Sequence, residues 1–407
     1  MAGAALNSFF GFLFLVVATR IFSVEAVGLT TAAISSLGIL AIFSELGLGI
    51  GLIRFLPSAG ECGNNMLNSC LTLCGMTSII LSIIFLSGIG VWSPALLLIR
   101  ENISFSLAFV LFALVNALQP LVLNAYLARR NAKYIFISNL ITASLKLVLV
   151  VVFAIFLNST FGLFVSAGLA AAIALMISLK LLLPKAQCDY SPRVTIKRDA
   201  LRDVWHYSIG NYISRSMLQL LPLILPLMVV NILNAEMNAY FYVAWSITGI
   251  LLVIPSSISN SLFAEGSNEE ASLKTNSTKS LKLMLTLLVS LNILIFVLAD
   301  KILMIFGQAY ADNCSLLLRI VSLSTIPYAI NYLYISICRV TKNISNIIKI
   351  TAVLTSLSLG LSYFLMLKIS LVGVGIGYLA GQTIVATIVA IVLLRDLAKP
   401  YKLTGVG

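Results

Sequence analysis

Four charged residues sit inside long apolar runs: Glu45, Lys146, Arg215 and Arg319. Of the 14 Asp and Glu in the chain, only Glu45 falls well inside such a run. In lipid, a mid-span charge costs roughly 2.5–3.5 kcal/mol on insertion scales, so these groups usually face a polar cavity or one another. Three cations against one acid predict a net positive interior, suited to an anionic ligand such as a phosphate or diphosphate. A second reading has Lys146 and Arg319 snorkelling to the interface, with Glu45 paired to a cation across the bundle. Arg20 and Arg54 lie near the ends of runs, where interfacial anchoring competes with a cavity role.

Uncharged polar residues add a second pattern. Asn116, Gln119 and Asn124 fall roughly along one face of a single run, since Gln119 and Asn124 stand three and eight residues beyond Asn116, spacings that repeat a helix face. Amides placed this way either hydrogen-bond sugar hydroxyls or tie neighbouring helices together. Tyr240, Phe241, Tyr242 and Trp245 could stack on sugar rings, although an aromatic belt at the membrane interface accounts better for the first three. Pro120, Pro222, Pro226, Pro255 and Pro327 lie within runs and predict kinks, which serve as hinges or as packing adjustments.

Other chemistries find little support. The six cysteines form no C-x-x-C pair, and most lie in lipid or on the inner side, so disulfides are not expected. His206 is the only histidine, which excludes a multi-histidine metal site. No GxxxxGK[ST] phosphate loop occurs, so an ATP-driven pump would need a partner chain. The string Gly373, Gly375, Gly377 fits close helix contact better than a nucleotide loop. No cofactor, metal or catalytic site is expected.

The elements that must carry these residues are membrane helices. Sixty per cent of residues are hydrophobic and 10% charged, with a mean hydropathy of +1.06. So few charges cannot cover the surface of a water-soluble fold of 407 residues. Twelve spans are predicted, near 3–22, 27–50, 67–91, 104–127, 134–157, 161–183, 208–232, 238–262, 281–299, 315–337, 347–367 and 371–394. Each is about 20 to 25 residues, enough for one tilted crossing. The first run lacks the charged lead-in and small-residue cleavage site of a signal peptide.

Charge sets the orientation. The net +12 does not mark a nucleic-acid binder, because the Lys and Arg lie in short gaps between runs. With the N-terminus inside, only Arg20, Arg100, Lys301 and Lys368 fall on the outer side, so both termini are expected in the cytosol. The longest soluble stretch, 184–207, predicts a cytosolic linker between an N-terminal six-helix bundle (1–183) and a C-terminal one (208–407) with a short cytosolic tail. The halves echo each other: Glu25 and Glu236, Ala33 and Ala244, Ser35 and Ser246, and Gly38 and Gly249 all share one offset. A repeat with an even number of spans per half is a common transporter plan.

Several segments resemble the MOP superfamily, and within it the polysaccharide flippases of the O-antigen type. They are TRIFSVEAVGLTTAA after the first span, SELGLGIGLIRFLP closing the second and NAEMNAYFYVAWSI entering the eighth. KILMIFGQAYADNCSLLLRI before the tenth and SLVGVGIGYLAGQ entering the twelfth complete the set. The resemblance implies an all-α polytopic protein, two pseudo-symmetric six-helix bundles around a central cavity, in the cell membrane. It also implies alternating access carrying a polyprenyl-diphosphate-linked oligosaccharide from the inner to the outer leaflet. Membrane lipid and glycan assembly enzymes are the other expected partners. Glu45 and Arg54 match the charged ends of the second-span motif, and Arg215 lies where related flippases place charge near the cavity. The chain departs from the pattern in its abbreviated start and in having no intramembrane acid in its second half.

On this reading Arg215, Lys146 and Arg319 hold the diphosphate and first sugars, and Glu45 is the protonatable coupling site. Arg54, Arg20, Asn116, Gln119 and Asn124 are secondary candidates. Two alternatives stand beside it. A cation-coupled multidrug-type antiporter would prefer an acidic cavity. A membrane glycan polymerase or ligase would need a substantial extramembrane loop or an acidic metal-binding motif, which the sequence lacks.

Overall fold

The computed structural model describes residues 2–60, 63–187, 190–266, 273–341 and 343–398. Every regular element among them is helical. Those of eight or more residues are, in chain order, α1 (Ala2–Ile21), α2 (Val24–Glu45), α3 (Leu48–Phe55), α4 (Gly63–Ser87), α5 (Ile103–Ala128), α6 (Ala132–Phe156) and α7 (Thr160–Ile177). There follow α8 (Arg198–Ile232), α9 (Ala235–Gly266), α10 (Leu273–Met304), α11 (Gln308–Leu323), α12 (Thr325–Val340) and α13 (Ile344–Ala398). Helices satisfy their backbone polar groups internally, which is what lets such apolar sequence sit in hydrocarbon.

Ten helical stretches among the described residues are long and apolar enough to cross a membrane, α11 and α12 counting together as Gln308–Val340. This count differs from the twelve runs for two physical reasons. The described apolar part of α1, Phe9–Ile21, is too short to qualify by itself. The last two runs form one element, α13, which bends where Ile369 and Ser370 leave helical geometry, Ser370 at φ 55°. Beyond the bend the chain doubles back: a Cβ at Gly373 would collide with the Leu365 carbonyl, and one at Gly377 with the backbone of Ser362. The glycine string therefore allows close backbone contact.

A second break falls inside the expected span 27–50. Leu46 (φ 50°) and Gly47 (φ 79°) are both left-handed, ending α2 at Glu45 and starting α3 in a new direction. The predicted linker 184–207 is also shorter than expected. Leu183–Ala186 is still helical and α8 begins at Arg198. Part of the segment between them is held on α4: the Asn68 side chain donates to the Ser191 carbonyl (2.9 Å), and the Thr195 and Lys197 amides donate to the Thr72 and Ser69 hydroxyls.

The chain divides into two compact units. One runs to Ser246 and takes in Lys301–Cys314; the other is Ile247–Asp300 with Ser315 onward. In the first, α2 packs against α5, α7 and α8, α6 against α1 and α7, and α3 against α5 and α8. Its core holds an aromatic group, Phe105, Phe109, Phe112 and Phe164, over the buried Leu37 and Ile99, and a second cluster around Leu52, Leu67, Leu121 and Tyr126. Helix α2 buries Thr31, Ser35, Ser36 and Ser44, whose hydroxyls each donate to a carbonyl three or four residues back. Back-bonding of this kind removes the cost of a bare hydroxyl and lets helices approach closely. Helices α2 and α9 also start alike. Ser23 and Asn234 each accept from a backbone amide three residues on, with Glu25 and Glu236 in the first turns. In the second unit α12 packs along α13, and the Asn331 amide donates to both the side-chain and backbone oxygens of Gln382 (3.0 Å each).

Candidate substrate cavity in the first unit

Helices α2, α5, α6 and α7 enclose a cavity of about 310 Å³. Its polar wall comes from Asn116 and Gln119 of α5 and from Asn139, Thr142 and Lys146 of α6; Ile34, Leu37, Leu123 and Phe164 supply apolar wall. Asn116 donates its side-chain amide to the Phe112 carbonyl (2.8 Å), and Gln119 donates to the Thr142 hydroxyl (3.3 Å). Each amide thus spends a donor on the protein and keeps its carbonyl oxygen for a ligand. Pro120 also lines the cavity and has no N–H, so the Asn116 backbone carbonyl lacks its helical donor.

Lys146 is the cation of this cavity. Its Nζ stands 4.2 Å from the centroid of the Phe14 ring of α1. No carboxylate lines the cavity. Several oxygen acceptors, one ammonium and no acid match a hydroxylated ligand that is neutral or anionic, and disfavour a cationic one.

A second polar cluster forms at the α2–α3 break. The Gly49 amide donates to the Glu45 carboxylate, and Arg215 of α8 acts on that carboxylate electrostatically. The Asn124 side-chain nitrogen, buried and without a partner, lies with a Glu45 oxygen against Gly49, leaving no room for a Cβ there. The broken helix leaves orphan carbonyls. Tyr212 of α8 donates to the Ile42 carbonyl (2.8 Å) and Thr77 of α4 to the Ser44 carbonyl (3.0 Å).

The candidate residues therefore fall into groups. Asn116, Gln119 and Lys146 line the cavity. Glu45, Asn124 and Arg215 meet at the helix break, so Asn124 does not share the cavity with the other two amides of its helix. Arg20 donates to the Met304 and Ile305 carbonyls at the end of α10. Arg54 ends α3 and is exposed. Arg319, in the second unit, is paired with Asp300 (2.8 Å) and also donates to the Phe296 carbonyl (3.1 Å). Cys70, Cys74, Cys314 and Cys338 are buried and form no disulfide. Cys62, Cys188, Lys342, the acidic loop residues 267–272 and the tail from 399 lie outside the described residues, as do the side chains of Trp205 and His206.

Sequence reasoning missed Asn139, Thr142 and Tyr212. The first two were findable: Asn139, Thr142 and Lys146 stand at i, i+3 and i+7, one face of α6. Tyr212 gave no such signal, because its role depends on the break in α2.

The whole chain has the fold of MOP-superfamily transporters. An inward-facing multidrug resistance MATE family transporter of that superfamily superposes with a TM-score of 0.73 at 14% identity, covering 98% of this chain and 96% of the other. An outward-facing one gives 0.67 at 15%, covering 97% and 93%. A MOP-superfamily transporter from Pyrococcus furiosus, described as having a binding pocket of reverse polarity that suggests a different function, also gives 0.67 at 15%, with the same coverage. No curated protein matches the sequence. Residues 1–263 match the polysaccharide biosynthesis protein family, and the chain belongs to it.

Proposed function

We propose that this protein is a flippase that carries a polyprenyl-diphosphate-linked oligosaccharide from the inner to the outer leaflet by alternating access. The observation that carries this reading is the cavity in which Lys146 and the oxygens of Asn116 and Gln119 converge with no carboxylate. Membership of a polysaccharide biosynthesis family makes a glycan the natural hydroxylated ligand. In this account the chain has twelve spans in two bundles, with both ends in the cytosol. Lys146 and Arg215 meet the anionic part of the cargo, and the amides meet sugar hydroxyls. Arg319, already paired with Asp300 near the end of α10, takes no part in holding the cargo. Glu45, within the electrostatic influence of Arg215, is the protonatable group that couples the cycle to an ion gradient or to the membrane potential.

The test is reconstitution of the full chain in liposomes with a fluorescent polyprenyl-diphosphate oligosaccharide in the inner leaflet, followed by quenching from outside. The fluorescent glycolipid should become accessible faster with the parent protein than with Lys146→Met. Equal rates with both proteins and with empty liposomes would overturn the proposal. Transport of a lipophilic cation by the same vesicles would instead favour the multidrug-type antiporter.

A further inference from the structure

Helices that precede the 184–207 segment meet helices that follow it along a seam at one end of the molecule's first unit. In the first turns of α9, Asn238 is buried, and its side-chain amide donates to the Gly28 carbonyl (2.7 Å) and the Thr31 hydroxyl (3.2 Å) of α2. The two backbones lie so close there that a Cβ at Gly28 would overlap the Ala235 carbonyl oxygen. At the corner between α10 and α11, Arg20 of α1 donates to the Met304 and Ile305 carbonyls, and Phe12 meets Phe306 edge to face (5.2 Å). Tyr240 and Tyr310, also edge to face (5.3 Å), tie the start of α9 to the start of α11. The seam thus joins the end of α1 and the start of α2 to the start of α9 and the α10–α11 corner.

The chemistry of the seam suits a contact that parts and re-forms. Asn238 Oδ1 is buried with no hydrogen-bond partner, and that bare oxygen offsets part of what the two bonds of the same amide contribute. Water entering between α2 and α9 would satisfy it, which stabilises the separated state. Arg20 is exposed and can exchange its carbonyl partners for water at little cost. We infer that this seam is the outer gate of the transport cycle, shut in this structure, with Asn238 as its latch. The inference rests on the alternating-access reading above, whose orientation puts the end of α1 on the outer side. Release of cargo to the outer leaflet then requires α2 to leave α9 and α1 to leave the α10–α11 corner.

The test locks the seam and, separately, loosens it, using the full chain in liposomes. Thr31→Cys combined with Asn238→Cys is bridged by a short bis-methanethiosulfonate linker, with the parent chain treated alike as the blank. Bridging should slow flipping of the fluorescent glycolipid roughly tenfold or more, and a reductant should restore it. Asn238→Asp sets an acceptor against the Gly28 carbonyl, and Gly28→Leu drives a side chain into the Ala235 backbone. Each should raise labelling of Ser35→Cys by an impermeant maleimide added outside, roughly tenfold. Ser35 is 2% exposed and stands one turn deeper on the face of α2 that carries Gly28 and Thr31. Both loosened variants are checked for monodispersity and melting temperature. Failure of the two cysteines to be bridged, flipping unchanged by the bridge, or labelling unchanged in both folded variants would overturn the inference. Labelling needs no cargo, so the two readings fail separately. A protein whose seam opens in the loosened variants but which flips nothing keeps the gate and loses the flippase assignment. One that flips with the seam bridged keeps the assignment and loses the gate.

Discussion

The Lys146 ammonium stands 4.2 Å from the centroid of the Phe14 ring, held over an aromatic face and away from any carboxylate. The quadrupole of the ring partly compensates the charge without cancelling it. An anionic ligand can therefore complete the pairing, with Gln119 and Thr142 bridged at 3.3 Å to hold the neighbouring wall in place. Lys146→Met should weaken binding of the diphosphate-bearing substrate about ten- to a hundredfold, the value of one hydrogen bond to a charged group. Lys146→Arg should keep part of it. Titration of purified protein with polyprenyl diphosphate would read both effects.

In the proposed mechanism Glu45 and Arg215 act as a second pair, since Arg215 acts electrostatically on the Glu45 carboxylate. Arg215→Ala should abolish transport while membrane insertion stays normal. Glu45→Gln keeps an acceptor for the Gly49 amide but removes the charge that Arg215 faces. The two changes should be non-additive by about 0.5–3 kcal/mol in a double-mutant cycle on transport rate. Strict additivity would mean that the two residues act apart.

Gly49 is the steric keystone of the break. Gly49→Ala pushes a methyl into the Glu45 carboxylate and the Asn124 amide, and should destabilise the protein by about 1–3 kcal/mol. Gly11→Ala meets open space in α1 and should be neutral or slightly stabilising. Thermal unfolding in detergent compares the two directly.

The Arg319–Asp300 pair makes the opposite prediction. Its side chains are 27% and 54% exposed, and pairs of this kind contribute about 0–1 kcal/mol. Arg319→Gln should leave transport near the parent rate and barely move the melting temperature. A transport loss as deep as that of Arg215→Ala would return Arg319 to the substrate path.

Much of the fold was legible because lipid imposes a blunt code: apolar runs of near-constant length, cations in the gaps and proline or glycine at breaks. Asn116, Gln119 and Lys146 were readable for the same reason, since polar atoms in lipid are expensive and need a use. Other features were not. The turn at Leu46–Gly47 hides in an apolar stretch, because Leu46 adopts φ 50° only where the surrounding helices hold it. The separation of Asn124 from its two fellow amides follows from that turn, which swings α3 and Glu45 toward the end of α5. The pairing of Arg319 was equally hidden, as Asp300 lies 19 residues away and meets it only when α10 and α11 pack.

The flippase assignment is tested most directly by leaflet-resolved labelling of lipid-linked oligosaccharide in cells with and without this protein. The account predicts that the intermediate accumulates in the cytosolic leaflet on deletion, and that the parent gene restores it to the outer leaflet while Lys146→Met does not. Normal arrival at the outer leaflet in the deletion strain would contradict the account.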